Sequence, residues 1–81
     1  MNTNSAILAV IESLVREVIH DDLVNLTLES KASDIDGWDS LAHVTILVHL
    51  EQQYSMKLSL SELQNTNNIG DLVQLIKSKI N

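Results

Sequence analysis

The chain has no cysteine, and that one absence removes disulfides, thiolate metal ligands and cysteine nucleophiles together. It fits a reducing compartment, and the cytoplasm is the expected location. Aromatic residues are nearly missing, with one Trp, one Tyr and no Phe, so the core must be built from Leu, Ile and Val. Basic residues are scarce as well: five Lys and Arg stand against eleven Asp and Glu, a net charge of −6. Nucleic acid, whose binding demands a basic surface, is therefore excluded as a partner. No apolar run reaches membrane length, and no basic stretch precedes the first apolar one, so neither membrane insertion nor a cleaved signal is expected. The two glycines, Gly37 and Gly70, cannot form a phosphate-cradling loop.

What the chain does have is aliphatic residues in helical order. At 81 residues and 44% hydrophobic it can fold, but only as one small domain spanning residues 1–81. A polar start ends at Asn4 or Ser5, either of which can cap a helix. Ile7, Leu8, Ile11, Leu14, Val15, Val18 and Ile19 then follow the +3/+4 stagger of one buried face, with Glu12, Ser13, Arg16 and Glu17 opposite. His20-Asp21-Asp22 ends this helix. From Leu23 to Asp39 no period holds, and a loop this long in so small a domain is expected to tuck its leucines and Ile35 into the core around one short helical turn.

Ser40 to Tyr54 lacks Gly and Pro and reads as the second helix, with Asp39 as its N-cap. It is apolar on two faces. His43, Leu47, Leu50 and Tyr54, widened by Ile46, form one stripe, and Leu41, Val44 and Val48 form another that begins beside Ser40. One face suffices for a core, so the second implies either full burial or a binding surface. Ser59-Leu60-Ser61-Glu62 is a capping box opening a short helix with Leu60 and Leu63. Asn68 and Asp71 form a second cap-like pair, ahead of a last helix that carries Ile69, Leu72, Val73, Ile76 and Ile80, with Lys77 and Lys79 in its final turn. The fold class is all-α: a small four-helix bundle of three main helices and one short one, with a long first loop.

Several chemistries fall away on spacing. His20, His43 and His49 have no i,i+4 pairing with one another or with a suitable carboxylate cluster, and no cysteine backs them up, which argues against a metal site. Asp34-x-Asp36-Gly37-x-Asp39 lacks the late glycine and terminal glutamate of a calcium loop. Ser40 with Asp39 and His43 suggests a nucleophile and base, but the G-x-S-x-G elbow is absent. No catalytic residue is assigned. Ser40 remains as an acceptor: at a helix start its hydroxyl lies beside free N–H groups, where a phosphoryl group is electrostatically favoured.

With these residues in view, the chain resembles the acyl carrier and peptidyl carrier proteins. The resemblance rests on Asp36-x-Trp38-Asp39-Ser40-Leu41, the apolar helix ending Leu50-Glu51-Gln52-Gln53-Tyr54, Leu60-Ser61-Glu62-Leu63, and Ile69-Gly70-Asp71-Leu72-Val73. It implies that a phosphopantetheinyl transferase moves 4′-phosphopantetheine from coenzyme A onto Ser40. Asp39 would help hold the transferase's Mg²⁺, and acyl or aminoacyl groups would ride on the arm's thiol as thioesters. Leu41, Val44, Val48 and Glu51 would meet partner enzymes: an activating ligase and an acyltransferase or synthase of a fatty-acid, polyketide, nonribosomal-peptide or other specialised pathway. The carrier is expected to be a non-catalytic monomer. Its second helix carries fewer acids than is usual in fatty-acid carriers, and Trp38 is more typical of peptidyl or dedicated carriers, so a dedicated carrier is the expectation. The alternative from the residues alone is an unmodified helical adaptor that binds through Leu41, Val44 and Val48.

Overall fold

Two of the expected helices are set by periodicity and one by local capping, and a computed structural model of the chain shows how the long loop ties them together. It describes residues 3–80, with only the backbone of Leu60; Met1 and Asn2 of the polar start, and the Leu60 side chain, lie outside the described residues. The elements are α1 (Asn4–Ile19), a 3₁₀ turn (Ala32–Asp34), α2 (Ser40–Tyr54), α3 (Leu60–Gln64) and α4 (Ile69–Ile80). The bundle is thus all-helical with one short member, and the single turn expected inside the long loop is the 3₁₀ segment.

α1 packs against both α2 and α4. Its Ile7, Ile11 and Val15 stand one turn apart and are completely buried. They meet Ala42, Ile46, Leu47 and Leu50 of α2 and Ile69, Leu72, Val73 and Ile76 of α4 in one core. The α1 cap is neither Asn4 nor Ser5. Thr3 Oγ1 accepts the Ala6 N–H at 3.1 Å, which starts the helix one residue earlier. Asn4, freed from capping, accepts from Lys77 Nζ at 3.4 Å and links the start of α1 to α4. The Ser59/Glu62 capping box forms as expected, and Glu62 also pairs with Lys79 across to α4 at 2.8 Å. The Lys79 ammonium, the Ser59 N–H and the Ser59 hydroxyl hold the pKa of the Glu62 carboxyl down to about 2. At the start of α4, Asn68 Oδ1 accepts from Asp71 N at 2.8 Å, whereas Asp71 reaches Asn67 N at 2.9 Å, one residue before the expected partner.

The long loop departs most from expectation. Val24 and Leu26 enter the core, Ile35 is half-buried, and Leu23 and Leu28 stay exposed at 85% and 37%. Burial alternates along this stretch, which brings in Val24 and Leu26 and leaves Leu23 and Asn25 outside. Glu12 and Arg16, expected on a solvent face, hold this stretch. Glu12 Oε2 accepts from Leu26 N at 2.8 Å, and Arg16 Nε donates to the Val24 carbonyl at 2.7 Å. Their own ion pair, at 3.2 Å, closes the bracket.

The other end of the loop is strapped to α4. Ile69 N donates to Ser30 O, and Gly70 N to Leu28 O, both at 2.7 Å. A Cβ at Gly70 would fall 2.7 Å from the Leu28 carbonyl oxygen, a backbone atom that cannot swing aside. Gly70→Ala should therefore destabilise the protein by about 1–3 kcal/mol, despite alanine's higher helix propensity of up to ~1 kcal/mol. The check is the urea midpoint at unchanged slope. A midpoint at or above wild type would mean that the strap yields freely.

Candidate attachment site

Ser40 stands where the loop becomes α2, and the local sequence sets its surroundings. Gly37 has φ +91°, a left-handed backbone that side chains resist, and this allows the turn in which Trp38 N donates to Ile35 O at 3.3 Å. The turn sends the Trp38 indole inward, where it is 8% exposed. Asp39 then caps α2: its Oδ1 accepts from Ala42 N at 2.8 Å and its carbonyl from His43 N at 2.9 Å.

Ser40 is the first helical residue and is exposed. Among the described residues no hydrogen bond engages its Oγ. Thr3 and Ser59, by contrast, spend their hydroxyls as caps for α1 and α3. Asp39 takes the Ala42 N–H, while the N–H groups of Ser40 and Leu41 precede the first intrahelical bond, so the hydroxyl sits beside free donors at the positive end of the helix dipole. The residues present thus fit a phosphodiester at this hydroxyl: it is accessible and uncommitted, and adjacent N–H groups can take an anionic oxygen.

His43 is not paired with Ser40. Its Nδ1 accepts the indole N–H of Trp38 at 3.1 Å, with ring centroids 5.9 Å apart and planes tilted by 39°. Burial pushes its pKa below the usual histidine value. Sequence reasoning assigns Trp38 no structural job; the signal for one is a lone aromatic five residues before a histidine. His20 is the left-handed C-cap of α1, and His49 is exposed. Among the described residues no three His, Asp or Glu side chains are placed to hold a metal ion.

The two stripes of α2 separate clearly. Ala42, Ile46, Leu47 and Leu50 are buried, with His43 and Tyr54 half-buried beside them, while Leu41, Val44 and Val48 are exposed at 76%, 57% and 45%. Glu51 has an internal duty: Oε2 accepts from Leu58 N at 2.8 Å and fastens the α2–α3 loop. Between α2 and α3 lies a groove of about 440 Å³, lined on the α2 side by His43, Val44, Leu47, Val48 and Glu51 and closed by Leu58, Leu63 and Gln64. It begins one turn beyond Ser40 and falls within the size range of small-ligand sites.

The fold and site define a small helical scaffold that displays the uncommitted Ser40 hydroxyl at the start of α2, next to an apolar groove. The family model described as "Phosphopantetheine attachment site" matches residues 9–76. A solution NMR structure of the holo acyl carrier protein from Geobacter metallireducens aligns with a TM-score of 0.82 at 44% identity, over 90% of this chain and 84% of that one. The acyl carrier protein of Thermotoga maritima is 28% identical over 80 residues, 99% of each chain. The acyl carrier protein MbtL of a Mycobacterium species is 25% identical over 79 residues, 98% of this chain and 89% of its own. The chain belongs to the acyl carrier protein family, and phosphopantetheine is its covalent prosthetic group. No helix among the described residues is long and apolar enough to cross a membrane.

Proposed function

We propose that Ser40 is the attachment residue and that the protein presents acyl or aminoacyl groups to separate enzymes without itself catalysing their transfer. The observation that carries this reading is the exposed, uncommitted Ser40 hydroxyl at the first position of α2, behind a fully formed Asp39 cap. In the loading step the Ser40 Oγ attacks the pantetheine-bearing phosphorus of coenzyme A. The diphosphate bond breaks, adenosine 3′,5′-bisphosphate leaves, and the Oγ proton passes to a base on the transferase. Asp39 uses Oδ1 for its cap, which leaves Oδ2 to face the transferase's Mg²⁺. Once attached, the arm supplies a thiol that takes acyl groups as thioesters, a group that this cysteine-free chain lacks.

Leu41, Val44 and Val48 form an exposed apolar stripe running from the attachment point, and we assign it to the transferase, an activating ligase and an acyltransferase or synthase. Of the partner residues inferred from sequence, Glu51 contributes least, since one of its oxygens is committed to Leu58. α2 carries no charged side chain between Ser40 and Leu50 other than what its histidines acquire on protonation, so recognition of this face rests on apolar packing more than on charge steering. That suits a carrier dedicated to particular enzymes, working in a reducing cytoplasm.

The loading test is an intact mass after incubation with coenzyme A, Mg²⁺ and a broad-specificity phosphopantetheinyl transferase. Addition of one phosphopantetheine is expected; no addition under conditions that load a control carrier would leave the unmodified-adaptor reading standing. Val48→Asp should load or transfer about tenfold less efficiently, the ~1.4 kcal/mol expected when an apolar side chain no longer packs at an interface. Its far-UV circular dichroism should match wild type, because Val48 is outside the core. Loss of helical signal would place Val48 in the packing instead.

A further inference from the structure

Trp38 and His43 lie on either side of Ser40 in sequence and are bonded to each other in the fold. The indole N–H of Trp38 ends 3.1 Å from His43 Nδ1, which joins the last turn of the loop to the first turn of α2. Ser40 and Asp39 are among the residues enclosed by this short circuit. We infer that the Trp38–His43 pair is a positioning clasp, which holds the loop–helix junction in the conformation that presents the Ser40 hydroxyl for modification. The inference rests on Ser40 being the attachment residue and adds to it two residues that touch neither coenzyme A nor the reacting atoms.

Three observations support it. Trp38 is almost fully buried, so its N–H needs an acceptor, and His43 Nδ1 is the one it has. His43 also lines the α2–α3 groove at the end nearest Ser40, so its orientation shapes the surface next to the attachment point. The geometry, finally, permits one tautomer. With Nδ1 accepting, the ring proton must be on Nε2. A second proton would go onto Nδ1 and place two donors nose to nose at the indole's electropositive edge, where no cation–π attraction is available to compensate.

Trp38 is the only tryptophan, so its emission reports the clasp in the unmodified protein. Wild type, His43→Leu and His43→Asn are compared, because asparagine can offer an uncharged acceptor near the Nδ1 position. Emission is recorded for each at one neutral pH, and KM and kcat for loading are measured with the same transferase and coenzyme A. His43→Leu should shift the Trp38 emission away from that of wild type, and His43→Asn should return it. His43→Leu should raise the KM for the carrier about tenfold with kcat little changed, and His43→Asn should return it most of the way. His43→Leu emission that matches wild type, or His43→Leu loading with wild-type KM, overturns the clasp while leaving Ser40 as the attachment residue. If His43→Leu fails to fold, the KM of Trp38→Phe, which lacks the indole N–H, decides instead, and a wild-type value overturns the clasp. Failure of wild type itself to load would overturn the attachment reading, and the clasp's purpose with it.

Discussion

A Ser40→Ala variant is expected to remain at its apo mass under conditions in which wild type becomes fully loaded. The effect on modification should be total, because the substitution removes the one atom that forms the bond. The effect on the fold should be small. Ser40 is exposed, its Oγ holds no partner among the described residues, and the Asp39 cap does not depend on it. Alanine is also the best helix former, so stability should stay within about 0.5 kcal/mol of wild type. Matching circular dichroism and urea midpoints would separate loss of the acceptor from loss of the structure. Loading of Ser40→Ala at another residue would mean that the arm is attached elsewhere.

The second large effect lies further along the same helix. Leu50 is completely buried where α2 meets the core, and its truncation to alanine should cost about 2–5 kcal/mol. A domain of 81 residues has roughly 4–12 kcal/mol of stability in all. Leu50→Ala should therefore lower the urea midpoint sharply and leave a substantial unfolded fraction on modest heating. The contrast with Val48→Asp is informative. A charge placed at Val48 should spare the fold, whereas truncation at Leu50 should not, although the two residues are neighbours on one helix. If both variants proved equally stable, the division of α2 into an inner and an outer face would be wrong.

That division is readable in the sequence because helical periodicity is local. Leu47 and Leu50 repeat on one stripe and Val44 and Val48 on another, so their separation needs no knowledge of the rest of the chain. The capping box at Ser59 and Glu62, and the cap at Asp39, are legible for the same reason: donor and acceptor are three residues apart. The α1 cap is not, because Thr3, Asn4 and Ser5 are all competent, and the choice depends on Asn4 being drawn to Lys77, far along the chain.

The loop is the least legible part. Its buried residues, Val24 and Leu26, alternate over too few positions to show a period, and they are fixed by Glu12 and Arg16 on α1. Gly70 carries no sign in the sequence that the Leu28 carbonyl will lie against it. At the site, the Asp-Ser-Leu motif leads directly to Ser40, but its supports do not show. Trp38 stands out only as part of a family resemblance, and His43 only as a member of the inner stripe and as a base with no nucleophile elbow to serve. Their pairing depends on the Gly37 turn folding the indole back over α2, which only the assembled fold shows.

The most direct test of Ser40 as the attachment residue is tandem mass spectrometry of the protein purified from its native cell, with the phosphopantetheine mapped to a residue by fragment ions. The group is expected on Ser40 and on no other hydroxyl. A phosphopantetheine located on any other serine or threonine would contradict that assignment.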